Sequence, residues 1–238
     1  MLLCPMPRAK LLRFLPQGGE VAEIGVAEGD FSQEILAAAA PRALHLVDPW
    51  LHQPRADYID DPNNVSDSAQ GARYESVLAR FAAERARRQV HVHRMYSHEA
   101  ADLFEPGQFE WIYLDAMHTA EAVYRDLAAF HDTVKPDGYI GGHDYTNHVQ
   151  ARSWNFGVVE AVNRFVADFG YEFLALTLEA FPTYVLAKAP ESTAARELRE
   201  RLIAEVSYVV EIRDFPAAHA FEHKSLASGE KLLAYPSF

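Results

Sequence analysis

Two short segments carry residue types at spacings suited to a reaction centre. Asp115 and His118 stand three apart in Asp115-Ala116-Met117-His118, and His143-Asp144 follows Gly141-Gly142. Two converging carboxylates offer hard oxygen donors that suit Mg²⁺. A cation there would draw in a hydroxyl group and lower its pKa. His118, one helical turn past Asp115, is placed to take the released proton, because imidazole titrates closest to neutral pH. His143 as a ligand beside Asp144 would shift the preference towards Mn²⁺ or Zn²⁺. Glu28 and Asn147 are further ligand candidates. The competing reading makes both aspartates loop or helix caps and His118 a solvated side chain.

A second constellation points to a nucleoside. In Glu23-Ile24-Gly25-Val26-Ala27-Glu28-Gly29, Gly25 permits a tight turn and Gly29 a close approach of backbone to ligand. The helix that follows presents free N–H groups. Asp48 ends the next apolar run, about 20 residues past the turn, where an acid accepts both ribose hydroxyls. The glycine spacing is not G-x-G-x-x-G, which disfavours a dinucleotide pyrophosphate. NAD remains open on these residues alone.

Positioning these groups requires strands that end beside one another. Apolar runs at Glu20–Gly25, Leu44–Val47, Val90–His93, Trp111–Leu114 and Tyr139–Gly141 alternate with helical patterns at Phe31–Ala40, Arg73–Arg88, His98–Phe104, Ala120–Thr133 and Val158–Phe169. The run Lys135-Pro136-Asp137-Gly138 reads as a turn, and Tyr171–Thr177 with Thr183–Ala187 as a closing antiparallel pair. Alternation of this kind predicts an α/β, Rossmann-like doubly wound sheet of seven strands, mostly parallel with the last antiparallel. Ligands then sit beyond the strands' carboxyl ends, near 25–31, 48–50, 95–97, 115–118 and 142–147. The polar loop 51–72, with Asp57, Asp60, Asp61, Asn63 and Asn64, reads as a functional lid or an unstructured stretch. Residues 1–189 form the expected domain; 190–238 form an appendage that opens as a charged helix, Ser192–Glu205, and is a candidate for self-association or for covering the site.

Composition narrows the partners. Of 238 residues, 22 are Lys or Arg and 34 Asp or Glu, a net charge of −12 that repels phosphate backbones and argues against nucleic acid. A single cysteine, Cys4, forbids an internal disulfide and fits a reducing, cytoplasmic setting. Pro5 and Pro7 interrupt the N-terminal stretch, so no signal peptide is expected, and no apolar run is long enough for a membrane span. His45, His91 and His93 read as packed or surface residues, and His219 with His223 as a weak helix-face pair. Trp50, Trp154 and Phe156 flank the crevice, as pocket wall or as core.

Over residues 18–188 the chain resembles class I S-adenosylmethionine-dependent methyltransferases. Glu23 to Gly29 looks like their first motif and Leu46-Val47-Asp48 their second; Ser97, in Tyr96-Ser97-His98-Glu99-Ala100, falls where they contact adenine. Asp115-x-x-His118 followed by Gly141-Gly142-His143-Asp144-Tyr145 is similar to small-molecule O-methyltransferases of the macrocin type. The resemblance implies S-adenosylmethionine as cofactor, held by Glu23, Gly25, Gly29, Asp48, Ser97 and Asp115. It also implies a divalent metal, Mg²⁺ or Mn²⁺, on Asp115, Asp144 and His143, a small-molecule hydroxyl as acceptor, and His118 as base. In the macrolide sugar enzymes the residue before the second Asp is usually acidic, and here it is His143. In the catechol type an Asn follows that Asp, and here it is Tyr145. The rival readings are a metal-independent methyltransferase, a nicotinamide-dependent oxidoreductase and a non-catalytic module that holds S-adenosylmethionine or its product.

Overall fold

The chain runs β1 (Leu2–Cys4), α1 (Arg8–Leu11), β2 (Glu20–Ile24), α2 (Asp30–Ala39), β3 (Ala43–Val47), α3 (Asp67–Arg80), α4 (Ala82–Ala86), β4 (Val90–His93), α5 (Ser97–Ala101), β5 (Phe109–Leu114) and α6 (Ala120–Phe130). It continues through a 3₁₀ turn (His131–Thr133) to β6 (Val134–Gly142), α7 (Val149–Ser153), α8 (Val158–Phe169), β7 (Glu172–Thr177), β8 (Tyr184–Ala187), α9 (Thr193–Glu205), β9 (Val210–Glu211), β10 (Phe221–His223) and β11 (Ala234–Pro236). This computed structural model describes residues 1–59, 61–216, 221–223 and 234–236, the last two stretches as backbone alone. His219 and Asp60 lie outside the described residues, as does the side chain of His223.

Among the described residues, nine strands form one sheet in the order β4-β3-β2-β5-β6-β8-β7-β1-β9, and β10 pairs with β11 apart from it. The α/β doubly wound class is as expected. All seven anticipated strands are present, and β8 runs antiparallel to both neighbours. The count differs because three-residue β1 pairs parallel with β7 and two-residue β9 pairs antiparallel with β1. Neither is long enough to show a period of two in sequence. The supposed turn at Lys135–Gly138 lies inside β6. Phe109 pairs with Val134 and Trp111 with Tyr139, so the extra residues bulge out of the ladder where Pro136 has no N–H to donate. The helix expected over 73–88 begins at Asp67, capped by Ser66, and breaks at Phe81.

Alternation along the central strands builds a core on each face of the sheet. Val21, Trp111 and Tyr113 pack on one side with Phe31, Ile35, Val77 and, from the C-terminal segment, Leu198 and Leu202. Ala22, Ile112 and Leu114 pack on the other with Val123, Leu127, Val162 and Phe165. With both faces covered, the carboxyl ends of β4, β3, β2, β5 and β6 are left to carry polar chemistry side by side. No helix of the described residues is long and apolar enough to cross a membrane.

Candidate active site

The turn after β2 is built around an approach only glycine allows. A Cβ on Gly25, whose φ is +90°, would stand 2.0 Å from the Asp115 carbonyl oxygen. Asp48 pins this turn to the end of β3: its Oδ2 accepts from the amides of Val26 and Ala27, both at 3.0 Å, and its Oδ1 from Trp50 at 2.7 Å. Burial pushes the Asp48 carboxyl up, and these amide bonds oppose the shift. Trp50 is fully buried and donates from Nε1 to the Ala27 carbonyl, so it supports the turn as part of the core. Three non-glycine residues that follow strands here hold left-handed backbone: Ala27 at φ 50°, Trp50 at 45° and Asp144 at 61°.

A cavity of about 790 Å³, its open mouth included, runs across these strand ends. Gly25, Asp48, Ser97 and Asp115 line it, together with Tyr58, Asn63 and Asp126. Two sequence candidates do not reach that lining. Glu23 is buried beneath the turn and bonded to the Ser32 hydroxyl, with its carboxyl pushed up to about 8 by burial. Gly29 opens α2, and a Cβ there would meet the Phe81 ring, so its close approach is to core and not to ligand. Ser97 donates to Asp126 Oδ1 at 2.7 Å, which ties β4's end to α6.

At one end of the cavity stands a charged cluster. His118 Nε2 lies 2.9 Å from Asp144 Oδ2 and 3.3 Å from Asp115 Oδ1, while its Nδ1 lies 3.2 Å from Asp61 Oδ2. Arg8 Nη1 meets Asp115 Oδ2 at 2.9 Å, with its guanidinium over the Phe31 ring. His143 Nδ1 stands 3.2 Å from Asp144 Oδ1 and 3.6 Å from Asp115 Oδ2. Arg8, His118 and His143 thus face Asp61, Asp115 and Asp144, three cationic groups against three carboxylates. Burial alone would strip the proton from His118, but hydrogen bonds to Asp115, Asp144 and Asp61 outweigh it and hold the imidazole well above its usual range. Burial also opposes charge on Asp144, yet His118 and His143 take it well below the carboxylate range. Asp115 goes the same way, through His143 and His118. The consequence for a base is direct: these partners favour the protonated ring, which makes His118 a stronger proton acceptor than the ordinary imidazole the sequence suggests.

The donor set fits a divalent cation. One ligand atom each from Asp115, His118 and Asp144 falls within a group no more than 4.8 Å across; the two carboxylates alone suit Mg²⁺ or Mn²⁺, and an imidazole joining them would shift the preference towards Mn²⁺ or Zn²⁺. His143, the third ligand expected from sequence, stands on the other side of the same two carboxylates, 3.2 Å from Asp144 and 3.6 Å from Asp115. Glu28 pairs with Arg73 and Asn147 with Glu160, away from the cluster. Gly157 lets the next wall close in: a Cβ there would stand 2.6 Å from Ala120 Cβ. Phe156 therefore lies against His118 at 4.3 Å between ring centroids, with Trp154 and Phe181 beyond it. Sequence reasoning missed Arg8 and Asp126 as site residues, and named Asp61 only as one acid of the polar loop 51–72 without a partner in the site. Each reaches the site from an element without helical or strand period at that position, or from the next helix.

Comparison with known proteins bears on the family and the fold. A family model described as a methyltransferase domain matches residues 22–145, more than half the chain. No curated protein sequence matches. Among solved structures, a SAM-dependent methyltransferase from Aquifex aeolicus is 11% identical over 77% of this chain and 89% of its own, with a TM-score of 0.54. The N-methyltransferase NodS from Bradyrhizobium japonicum WM9 is 11% identical over 76% and 93%, with a TM-score of 0.53. A spermidine synthase is 14% identical over 82% of this chain at a TM-score of 0.52, and this chain spans 61% of its length. At such identities the structures speak for the fold, and the family match for descent: the chain belongs to the methyltransferase-domain family.

Proposed function

We propose that the protein transfers the methyl group of S-adenosylmethionine to a hydroxyl oxygen of a small molecule, with a divalent metal held by Asp115 and Asp144. One observation carries the reading. The cavity along the strand ends, bordered by Gly25, Asp48 and Ser97, opens at Asp115 onto the His118 cluster, so a nucleoside site and a proton-handling site adjoin. Asp48 holds the ribose end through the one acceptor position on Oδ1 that its three amide bonds leave free, and Ser97 with Asp126 borders the base. S-adenosylmethionine, when bound, supplies a methyl group on a readily departing sulfonium. The protein's own task is mostly alignment of acceptor oxygen, methyl carbon and sulfur. With a divalent metal bound, Lewis-acid polarisation lowers the acceptor pKa. His118 holds and moves the acceptor's proton at Nε2, the atom that faces Asp115 and Asp144; Phe156 keeps water from its ring.

One feature favours a second, metal-independent reading: Arg8 and His118 already neutralise Asp115 and Asp144. Chelation separates the two. Loss of methyl transfer in excess chelator and recovery with Mg²⁺ or Mn²⁺ supports the first reading, and full activity without metal supports the second. Calorimetry with S-adenosylhomocysteine and NAD tests the cofactor. Asp48→Ala is expected to weaken S-adenosylhomocysteine by about 1.5–3 kcal/mol, as for hydrogen bonds to a charged group. Unchanged affinity would remove Asp48 from the ribose.

A further inference from the structure

We propose that Asp61 is a positioning residue, whose carboxylate fixes the His118 ring so that Nε2 faces the reaction centre. The inference rests on the function proposed above and adds a residue that nothing in the family motifs supplies. Asp61 comes from the connection between β3 and α3, 57 positions from its partner, yet its side chain is 1% exposed and that of His118 7%. A carboxylate buried this far costs several kcal/mol unless it is paired. Here its two oxygens divide the work. Oδ1 accepts from the Asn63 amide at 2.8 Å, which sets the local turn, and Oδ2 meets His118 Nδ1 at 3.2 Å.

The connection itself is laced in place. Asn64 accepts from the Gln53 amide at 2.8 Å and donates to the Gln53 and Tyr58 carbonyls, and Gln70 and Arg73 both donate to the Asn63 carbonyl. Asp61 is therefore held by its neighbours and does not depend on His118 for its place. The converse does not hold. A histidine ring has two near-equivalent orientations about its terminal torsion. With acceptors on both nitrogens only one satisfies Nδ1 and Nε2 together. Remove Asp61, and Phe156 still packs the ring face but nothing selects which nitrogen meets Asp115 and Asp144. Tyr58 and Asn63, on either side of Asp61, line the nucleoside cavity, so one stretch of chain borders the cofactor and orients the base. A base oriented by a third group is a general arrangement for activated side chains.

The test uses full-length protein labelled with ¹⁵N at the histidine rings, with S-adenosylhomocysteine as probe. His118 signals are assigned by their loss in His118→Gln. The wild type is expected to show a slowly exchanging Nδ1–H for His118. Asp61→Ala should lose it to solvent, and Asp61→Asn, which keeps an acceptor oxygen, should retain it. S-adenosylhomocysteine affinity should be unchanged in Asp61→Asn, which keeps the acceptor for the Asn63 amide. With any hydroxyl acceptor that the wild type methylates, kcat of Asp61→Ala should fall about 10–100-fold at constant KM, the usual cost of losing an orienting partner. An Nδ1–H that persists in Asp61→Ala overturns the proposal. So does a weakened S-adenosylhomocysteine affinity in Asp61→Asn with Nδ1–H intact, since Asp61 would then act by shaping the cavity. Wild type that fails to bind S-adenosylhomocysteine overturns the methyltransferase reading, and the Nδ1–H signal still decides the Asp61 contact.

Discussion

Two groups of histidines sit on neighbouring parts of one sheet and are driven in opposite directions. His118 is enclosed by Asp61, Asp115 and Asp144, and its imidazolium is stabilised well above the normal range. His45 stacks between His91 and His93, with Phe104 and Phe109 edge-on, and burial followed by its imidazole neighbours takes it down to about 4. Both rings are shielded from water. What differs is the company: three carboxylates close on His118, whereas His45 meets two imidazoles, phenyl rings and one more distant carboxylate, Glu20 at 3.9 Å, too little to offset burial. Burial of a histidine therefore says little about function until its partners are known.

The comparison breaks first on turnover. His118→Ala should lower kcat by roughly 10²–10⁴-fold, the contribution of a positioned acid or base. His45→Ala should leave kcat near wild type when both are assayed below their melting points. Equal rates for wild type and His118→Ala would reduce His118 to a neighbour of the site. The next effect is on folding. His118→Ala strands Asp61 as a buried carboxylate without its ion-pair partner and leaves Asp144 with His143 alone, at a cost of about 3–5 kcal/mol in denaturant unfolding. His45→Phe, which keeps the stack and removes a desolvated polar ring, should change stability by less than about 1.5 kcal/mol. A smaller cost for His118→Ala than for His45→Phe would mean the cluster is not held by charge.

The pH profile sharpens the same contrast. The folded pKa of His45 lies below its unfolded value of 6.5, so its contribution is complete above 6.5 and is lost as pH falls towards about 4. His45→Phe should flatten that acid limb. For His118 the sign is reversed, since its folded pKa is raised: stability is present below 6.5 and lost as pH climbs through the folded value. His118→Gln should therefore move the alkaline limb and leave the acid limb tied to His45. Thermal melts from pH 4 to pH 10, a span set by the ordinary histidine range with room on either side, check both.

Much of this frame was legible in sequence, and the reason is local. The strands that carry Gly25, Asp48, Ser97, Asp115 and Asp144 are short apolar runs that end in a polar residue, so both the element and its functional end are written in consecutive positions. Asp115-x-x-His118 was legible in the same way, because one turn of chain fixes the distance. Asp61 and Arg8 were not. Their roles depend on contacts 57 and 107 positions away, and no period of two or 3.6 marks the segments that carry them. Two histidines, His118 and His143, adjoin the same aspartates, and that both do so depends on the path of the chain after β5, which no local pattern reports. Glu23 and Gly29 illustrate the limit of a motif: both belong to the turn, one by supporting it from below and the other by starting α2, without bordering the cavity.

The left-handed backbone at Ala27, Trp50 and Asp144 has a consequence for anyone who would evolve or engineer this chain. Such conformations cost of order 1–3 kcal/mol each in residues with a side chain, and all three lie at the rim of the ligand-bearing edge. At Ala27 a selection for heat resistance would find glycine an inexpensive gain, and that gain would loosen the peptide whose amide Asp48 holds and whose carbonyl Trp50 holds. At Trp50 and Asp144 the same change is closed off, because it would remove a fully buried indole or the carboxylate itself. Robustness and turnover are thus set against each other at this edge, and a thermostable variant that keeps its activity should draw its substitutions from the helices and from the opposite end of the sheet.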